Sequence, residues 1–329
     1  MSNEIIRYYD SNTDRFLKYG QGAESKAIHR AVWAPGIETR LQAMNYVNTL
    51  IAAALRNSAP DSTAGDEHAP AENISADKVL DIGCGVGGSM LYLAGHTSAS
   101  ISGVTISPRQ AEVGQQLIAA TGCAERCSIV CADFTDSALP ERLPLPFDTA
   151  YAIESFLHMP DAELFFKQVA RSLRPGGKLY LCDDFLASQA GRLGTRRLRR
   201  GAQARRQKLL QRFKRGWQVQ SLCTTSELCA LAAKHGLRPV HIDDLSPYLE
   251  LNRPRDIGIR ILIGLLGRLP IATPFWNNLL GGDALQRLLL RGDIRYLLLQ
   301  FEKTTSEYSE EREGDADSEN ALLQPPKSD

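Results

Sequence analysis

A set of alternating glycines that follows a short apolar run constrains the fold of this chain more than any other feature. Val79, Leu80 and Ile82 are typical of a buried parallel strand, and Asp81 lies among them near its end. Glycine is needed where the backbone turns with a positive φ or closely approaches a ligand. The pattern therefore predicts a strand, a tight turn and a helix. The turn glycines are Gly83, Gly85 and Gly87.

Two classes of ligand can lie on such a turn, and a turn without a ligand is the third alternative. The glycines also fit the spacing of a dinucleotide-binding loop, but a nicotinamide site needs an acid at the end of the second strand. The second predicted strand, residues 101–106, ends without a carboxylate. The buried acid instead precedes the glycines, at Asp81, where it repels a pyrophosphate and suits a cationic amino group. The turn therefore favours a cationic ligand.

Apolar segments alternate with helical patterns along most of the chain. This alternation predicts an α/β fold with a doubly wound, mostly parallel, seven-stranded sheet. The predicted strands are residues 78–82, 101–106, 128–132, 149–154, 178–182, 237–242 and 293–301. The predicted organisation is a helical N-terminal lid (1–56), a flexible loop (57–76), the ligand-binding core (77–186), a basic helical cap (187–222), a core helix and strand (223–247), an apolar cap insertion (248–292), a closing strand (293–303) and a disordered tail (304–329).

Composition excludes several classes of function. The net charge is zero, so no global field favours a nucleic-acid partner. The first residues lack an apolar secretory segment, and seven cysteines without a paired Cys-x-x-Cys spacing are typical of free thiols in a reducing compartment. The apolar stretch 257–266 is shorter than the ~20 residues that cross a bilayer. We expect a cytoplasmic globular protein with no metal site and no transmembrane segment.

The order Asp-x-Gly-x-Gly-x-Gly resembles the cofactor loop of class I S-adenosylmethionine (SAM) methyltransferases. The segment 103–107 with Gln110 resembles the second strand of the tocopherol, sterol and cyclopropane-type branch, in which small polar residues replace the acid that binds ribose. The resemblance implies a Rossmann-like methyltransferase fold with SAM as cofactor. It implies that four residues near the end of the second strand contact the ribose: Thr105, Ile106, Ser107 and Gln110. The alternative for Gln110 is a surface position on the following helix.

The resemblance extends to the adenine site and to an N-terminal lid. It implies that Asp133 accepts the adenine amino group and that Phe134 packs on the ring; the alternative is a turn-forming aspartate. Tyr9, with Tyr8 and Asp10, resembles the segment that covers the cofactor in this branch. Residues 28–33 take the position of a second lid segment, or else belong to a packed amphipathic helix.

Three side chains are the candidates for the reacting centre. Residues 151–161 resemble the fourth-strand segment of sterol, tocopherol and sugar-hydroxyl methyltransferases. Because ligands bind outside the carboxyl ends of parallel strands, Glu154 and His158 are expected in the cleft, with Glu154 also near the cofactor. Some relatives carry two adjacent histidines here, whereas this chain has Leu157 before His158. Asp184, beside Asp183 at the end of the fifth strand, is the third candidate.

The two caps indicate the nature of the substrate. Eleven Lys and Arg residues lie within residues 192–215 without a single acid, and residues 248–292 are rich in Ile, Leu and aromatic side chains. Together they favour an amphiphile with an apolar chain and a negative group, such as an isoprenyl diphosphate or a lipid, or contact with a membrane surface. The alternative for the basic run is a solvated helix face.

The function that fits these features is SAM-dependent methylation of a hydrophobic metabolite. The narrower hypothesis is C-methylation of an isoprenoid such as a prenyl diphosphate. The first alternative is O-methylation of a polyketide, sugar or phenol with His158 as general base. Alternatives of another class are a peripheral membrane or RNA-binding protein that uses the basic cap, and a SAM-binding regulator without catalysis.

Overall fold

The computed structural model describes residues 13, 29–58, 77–188, 196–266 and 273–305, with only the backbone described at 58, 196–200 and 274. The predictions for Tyr8, Tyr9 and Asp10 lie outside these residues. So do most of the predicted loop and tail, and the side chains of Arg192 and of the arginines within 196–200.

Seven strands form one sheet in the order β3-β2-β1-β4-β5-β7-β6. The pairs from β3 to β5 are parallel, and β7 runs antiparallel between β5 and β6. This confirms the predicted α/β fold with a mostly parallel, seven-stranded sheet. The strands are β1 (Lys78–Ile82), β2 (Ser100–Thr105), β3 (Cys127–Cys131), β4 (Phe147–Ile153), β5 (Leu173–Leu186), β6 (Leu237–Asp244) and β7 (Ile294–Lys303).

Eight helices of the described chain pack around the sheet, and several begin at side-chain caps. Ser107 accepts a hydrogen bond from the Gln110 amide, and Asp161 caps another helix. Thr224 and Glu227 form a reciprocal capping box. The helices are α1 (Arg40–Ser58), α2 (Gly88–His96), α3 (Pro108–Ala120), α4 (Ala162–Ser172), α5 (Arg196–Gly216), α6 (Thr225–Ala233), α7 (Pro254–Leu266) and α8 (Pro274–Leu290).

Two hydrophobic clusters hold the helices on the two faces of the sheet. One contains Ile51 of α1, Leu93 of α2 and Leu288 of α8, together with apolar residues of α3 and α5. The other contains Phe165 of α4 and Leu228 of α6. Both faces of the central strands β1 and β4 are therefore buried, which explains their mostly apolar sequences, whereas the edge strand β6 is only partly buried.

The segment before α1 departs from the helical lid expected for residues 1–56. Residues 29–39 are not helical, and Val32 forms an antiparallel bridge with Leu249. Proline favours an extended conformation in the residue before it, and Gly36 follows Pro35 with a φ of 81°. The helical prediction is therefore wrong for this segment, which crosses the molecule as an extended strap. We call residues 29–33 the strap.

Strand β5 is longer than the predicted strand 178–182. Residues 174–177 lie inside β5 as an irregularity, because Phe147 pairs with Leu173 and Thr149 with Lys178. Within the described residues, no helix has the length and apolar character needed to cross a membrane.

Candidate active site

The glycine turn between β1 and α2 requires glycine at its first position. Gly83 has a φ of 80°, and its amide donates to the Val104 carbonyl at 2.9 Å. A Cβ at this position would lie 2.4 Å from the Cβ of Ser155. Ser155 itself donates to the Ile82 carbonyl at 2.6 Å. The turn is therefore fixed between β2 and the segment after β4, with its backbone close to the ends of both.

Asp81 is a buried acid without a cationic partner among the described residues. The residue is 3% exposed and accepts one hydrogen bond, from Tyr151 Oη at 2.7 Å. Burial raises the pKa of Asp81 to about 7, against a smaller lowering by the Tyr151 hydrogen bond. Because a buried carboxylate is costly unless it is paired, this site fits a ligand that brings an ammonium group.

The end of β2 presents a linked set of polar groups. Thr105 Oγ1 donates to Gln110 Oε1 at 2.8 Å, and the Ser107 amide donates to Thr105 Oγ1 at 3.3 Å. Gln110 is 6% exposed, so the alternative that it is a surface residue is wrong. Ile106 lies between them, half-buried. The four residues assigned to ribose therefore form one group next to the glycine turn.

The two residues assigned to adenine follow β3. Asp133 Oδ1 accepts from the amide of Thr135 at 2.9 Å and from its hydroxyl at 2.7 Å, so this carboxylate also shapes a local turn. Phe134 is buried against Phe165, with ring centroids 5.7 Å apart. Little of the Phe134 ring is therefore accessible to a ligand.

The strap brings a histidine to the start of α2. His29 Nε2 lies 2.6 Å from Ser89 Oγ, two residues after Gly87. Burial lowers the pKa of His29, so the ring is neutral near pH 7. Its Nδ1 is buried and has no hydrogen-bond partner among the described residues. A buried polar atom without a partner is unfavourable, and a polar ligand on the glycine turn would relieve it.

Glu154 is the first residue after β4 and is held from two sides. It has a φ of 51°, which is uncommon outside glycine. Its Oε1 accepts from the Arg30 amide of the strap and from Tyr296 Oη of β7, each at 2.8 Å. Among the described residues, both hydrogen bonds to this carboxylate go to the same oxygen, so Oε2 is available to a bound molecule.

Arg30 binds the other carboxylate of the cluster. Its guanidinium donates to both oxygens of Asp184, at 2.6 and 2.5 Å, a forked geometry typical of strong ion pairs. The same group lies 4.8 Å from the ring centroid of Tyr296 and 5.9 Å from that of Trp217. Burial raises the pKa of Asp184, and Arg30 opposes that shift. Asp184 is therefore neutralised by an internal cation.

His158 ends a short 3-10 turn, Phe156–His158, on the same side of the sheet edge. Burial lowers its pKa, against a hydrogen bond to the backbone of Gln218, so the imidazole is neutral near pH 7. Asp183 Oδ2 accepts from the amide of Leu157, the residue before His158, at 3.1 Å. Burial, reinforced by the charge of Asp184, raises the pKa of Asp183 to about 8.

Four residues of this cluster were missed by sequence reasoning: His29, Arg30, Trp217 and Tyr296. The resemblance marks residues 28–33 as a lid segment, but no sequence pattern identifies Arg30 in this segment as a partner of Asp184. The register of β5 and β7 places Tyr296 opposite Asp184, a pairing that a sequence cannot show before the strand order is known. Among the described residues, no group of three or more His, Cys, Asp or Glu side chains could hold a metal ion.

This fold and this glycine turn with its preceding acid define a Rossmann-like core of the methyltransferase type. In agreement, residues 79–177 match a methyltransferase domain family. The sequence is 43% identical over 109 residues to a sterol 4-C-methyltransferase of Caenorhabditis elegans, covering 32% of this chain and 30% of that protein. It is 31% identical over 172 residues to a chloroplastic tocopherol O-methyltransferase of Arabidopsis thaliana, covering 51% and 46%. The chain thus spans less than half the length of these curated relatives.

Solved structures share the fold over nearly the whole chain. The cyclase SpnF superposes with a TM-score of 0.65 and 20% identity, covering 93% of this chain and 97% of the other. Geranyl diphosphate C-methyltransferase from Streptomyces coelicolor A3(2), in complex with S-adenosyl-L-homocysteine (SAH), gives 0.57 and 16%, covering 92% and 97%. These likenesses, at 20% and 16% identity, show the fold that this chain shares with them.

Proposed function

We propose that this protein is a SAM-dependent methyltransferase that acts on a hydrophobic small molecule. The observation that carries the proposal is Asp81, a buried acid with no cationic partner in the described structure, next to a positive-φ glycine turn. SAM carries an electrophilic methyl group on its sulfonium sulfur and an ammonium group on its methionyl part. This ammonium would be the cationic partner of Asp81. A nicotinamide dinucleotide would place a pyrophosphate on this turn, where Asp81 opposes it.

The described residues around the turn suit the remaining parts of the cofactor. Thr105 and Gln110 offer polar atoms to the ribose, and Asp133 offers a carboxylate to the adenine amino group. His29 Nδ1, the buried atom without a described partner, suits the polar methionyl end. Tyr9 is proposed as a cover of the cofactor by resemblance alone.

The cluster at the ends of β4 and β5 suits C-methylation of an alkene. In this reaction the alkene π electrons form the new carbon–carbon bond, the carbon–sulfur bond breaks, and the acceptor becomes a carbocation that loses a proton. Glu154 is the proposed proton acceptor. Its Oε1 accepts two hydrogen bonds from the protein, which leaves Oε2 to accept a proton from a bound molecule. Asp184 serves to position Arg30 rather than to accept the proton, since both of its oxygens bind the guanidinium.

The proposed acceptor class is an isoprenoid, with a prenyl diphosphate as the specific candidate. The sterol and tocopherol relatives and the geranyl diphosphate enzyme of the same fold support this class. Exposed basic side chains of α5 suit the negative end of such a molecule; they are Arg205, Lys208, Lys214 and Arg215. Arg206 does not belong to this set, because it pairs with the buried Asp293 at 3.3 Å. The seven cysteines form no disulfide within the described residues, which supports a reducing, cytoplasmic location.

O-methylation is the second candidate, because His158 is a neutral imidazole at the same edge of the sheet. A neutral ring can take the proton of a hydroxyl acceptor as it is methylated. C-methylation and O-methylation would depend on different side chains. Glu154→Gln should abolish C-methylation and spare O-methylation, whereas His158→Gln should do the reverse.

The deciding experiment offers methyl-labelled SAM together with one acceptor at a time. The acceptors are geranyl diphosphate, farnesyl diphosphate, a sterol, and a phenolic or polyketide hydroxyl compound, and the products are analysed by mass spectrometry. We expect a new carbon–carbon bond in an isoprenoid product. Label only on oxygen would favour the second candidate. SAM binding without transfer to any acceptor class would favour a regulator.

A further inference from the structure

Helix α7 (Pro254–Leu266) turns Asp256 and Arg260 toward the protein and four of its aliphatic residues toward solvent. Arg260 Nε donates to Asp283 Oδ1 of α8 at 3.1 Å, and Asp256 is hydrogen bonded to the side chain of Gln286 on the same helix. Ile263, one turn further along, is 7% exposed. These contacts fix which side of α7 faces α8. This arrangement inverts the usual pattern, in which a surface helix buries its apolar stripe.

The opposite side of α7 carries four exposed aliphatic side chains, which we call the apolar stripe. Three of them follow one another at intervals of four residues, so they lie along one face of the helix. Phe275, at the start of α8, is 54% exposed. A contiguous exposed apolar surface of this kind marks an interaction site more often than a solvated face. The stripe consists of Ile257 (46% exposed), Ile261 (60%), Leu262 (41%) and Leu265 (76%).

Most charged residues of this cap are arranged by sign. Residues 248–266 and 273–293 contain five arginines, three aspartates and Glu250, and no other Asp, Glu, Lys or Arg. Glu250 is exposed and pairs with Arg40 and Arg253. The aspartates are buried: Asp256 is 5%, Asp283 6% and Asp293 1% exposed. The five arginines pair with these aspartates, and their side chains are the more exposed partners, from 22% for Arg253 to 64% for Arg255. The described surface beside the apolar stripe therefore exposes more positive than negative side chains.

We propose that the apolar stripe of α7 inserts into the surface of an anionic lipid bilayer, with the neighbouring arginines on the headgroups. A helix that lies in a membrane interface combines an apolar face with a basic border. A second copy of the chain suits this surface less well. A symmetric pair would bring the same arginines together, and four side chains on one helix fall short of the ~800 Å² per partner of a stable interface.

This interaction does not depend on the identity of the methyl acceptor. The test is co-sedimentation of the full chain with vesicles of phosphatidylcholine alone, or of three parts phosphatidylcholine to one part phosphatidylglycerol, without SAM. We expect binding to the anionic vesicles that weakens as salt is added. Ile261→Glu/Leu265→Glu should weaken the partitioning by at least about tenfold, since two apolar side chains are lost and two negative charges gained.

Two further variants test whether vesicle binding depends on the apolar stripe and its arginines rather than on another part of the molecule. Leu41→Glu changes a leucine of α1 that is 45% exposed, and it should bind vesicles like the wild type. Arg255→Gln/Arg287→Gln should reduce the preference for the anionic vesicles. The proposal would be overturned if the wild type bound neither kind of vesicle. It would also be overturned if Ile261→Glu/Leu265→Glu, the stripe variant, bound anionic vesicles as well as the wild type does. Self-association of the wild type that the stripe variant abolishes, without vesicle binding, would show that a second copy covers the stripe.

Discussion

At the scale of single residues, the proposed cofactor site should respond to the protonation of Asp81. Burial raises its pKa to about 7, and a cationic ligand binds the carboxylate form. Below pH 7 the ligand must displace a proton, so SAM affinity should fall by about tenfold for each further unit of pH. Calorimetry between pH 5.5 and about 8.5 measures this dependence.

Two variants show whether Asp81 is the group that titrates. Asp81→Asn should bind SAM weakly at every pH, without the slope. Tyr151→Phe removes the hydrogen bond that lowers the pKa of Asp81, so the fall in affinity should begin at a higher pH. A wild-type profile that is flat, or a slope that survives in Asp81→Asn, would contradict this account.

The pair of Arg30 and Asp184 makes a second prediction at this scale. Arg30→Met leaves the buried Asp184 carboxylate without its cation, which should cost about 3–5 kcal/mol of unfolding free energy. Arg30→Lys should restore only part of it, because lysine lacks the fork that binds both oxygens. The double variant Arg30→Met/Asp184→Leu should be more stable than Arg30→Met alone. Urea unfolding measures all three, and additive losses in the double variant would show that the two residues do not act as a pair.

At the scale of elements, the glycine turn offers a matched pair of substitutions. Gly83 and Gly85 both have a positive φ, at 80° and 56°, so alanine is strained at each by about 1 kcal/mol or more. A Cβ on Gly83 also collides with Ser155, whereas one on Gly85 meets nothing within 4 Å. Gly83→Ala should therefore lose at least about twice as much stability as Gly85→Ala. Equal losses in thermal unfolding would mean that the contact with Ser155 does not fix the turn.

The elements that the sequence predicted well are those in which local pattern and tertiary role agree. The first strand was predicted at its observed bounds, because its apolar run ends at a glycine turn, and the core helix expected within residues 223–247 is α6, which begins at the Thr224 cap. The strap was missed, since an extended segment that gains its stability from one bridge and one buried arginine has no periodicity. The sequence predicts an apolar cap insertion at residues 248–292, but it does not show which side of α7 faces solvent, because composition does not tell which side of a helix faces the core.

At the scale of the whole molecule, the strap connects the two parts of the site. His29 contacts the glycine-turn side through Ser89, while the adjacent Arg30 holds Glu154 and Asp184. Strand β7 completes the same cluster through Tyr296. From the sequence, candidate site residues could be placed at the ends of individual strands. The way in which distant segments satisfy its charges depends on the register of β5 and β7 and on the path of the strap.

Calorimetric titration of the whole protein measures whether this chain holds SAM on the turn after β1. SAM, SAH and NAD are titrated separately at pH 8, where Asp81 is mostly ionised. We expect one binding site for SAM and for SAH, and no measurable heat with NAD. Asp81→Asn should lose the SAM site while remaining folded. NAD binding tighter than SAM binding, or SAM binding that is unchanged in Asp81→Asn, would show that this turn does not hold SAM through Asp81.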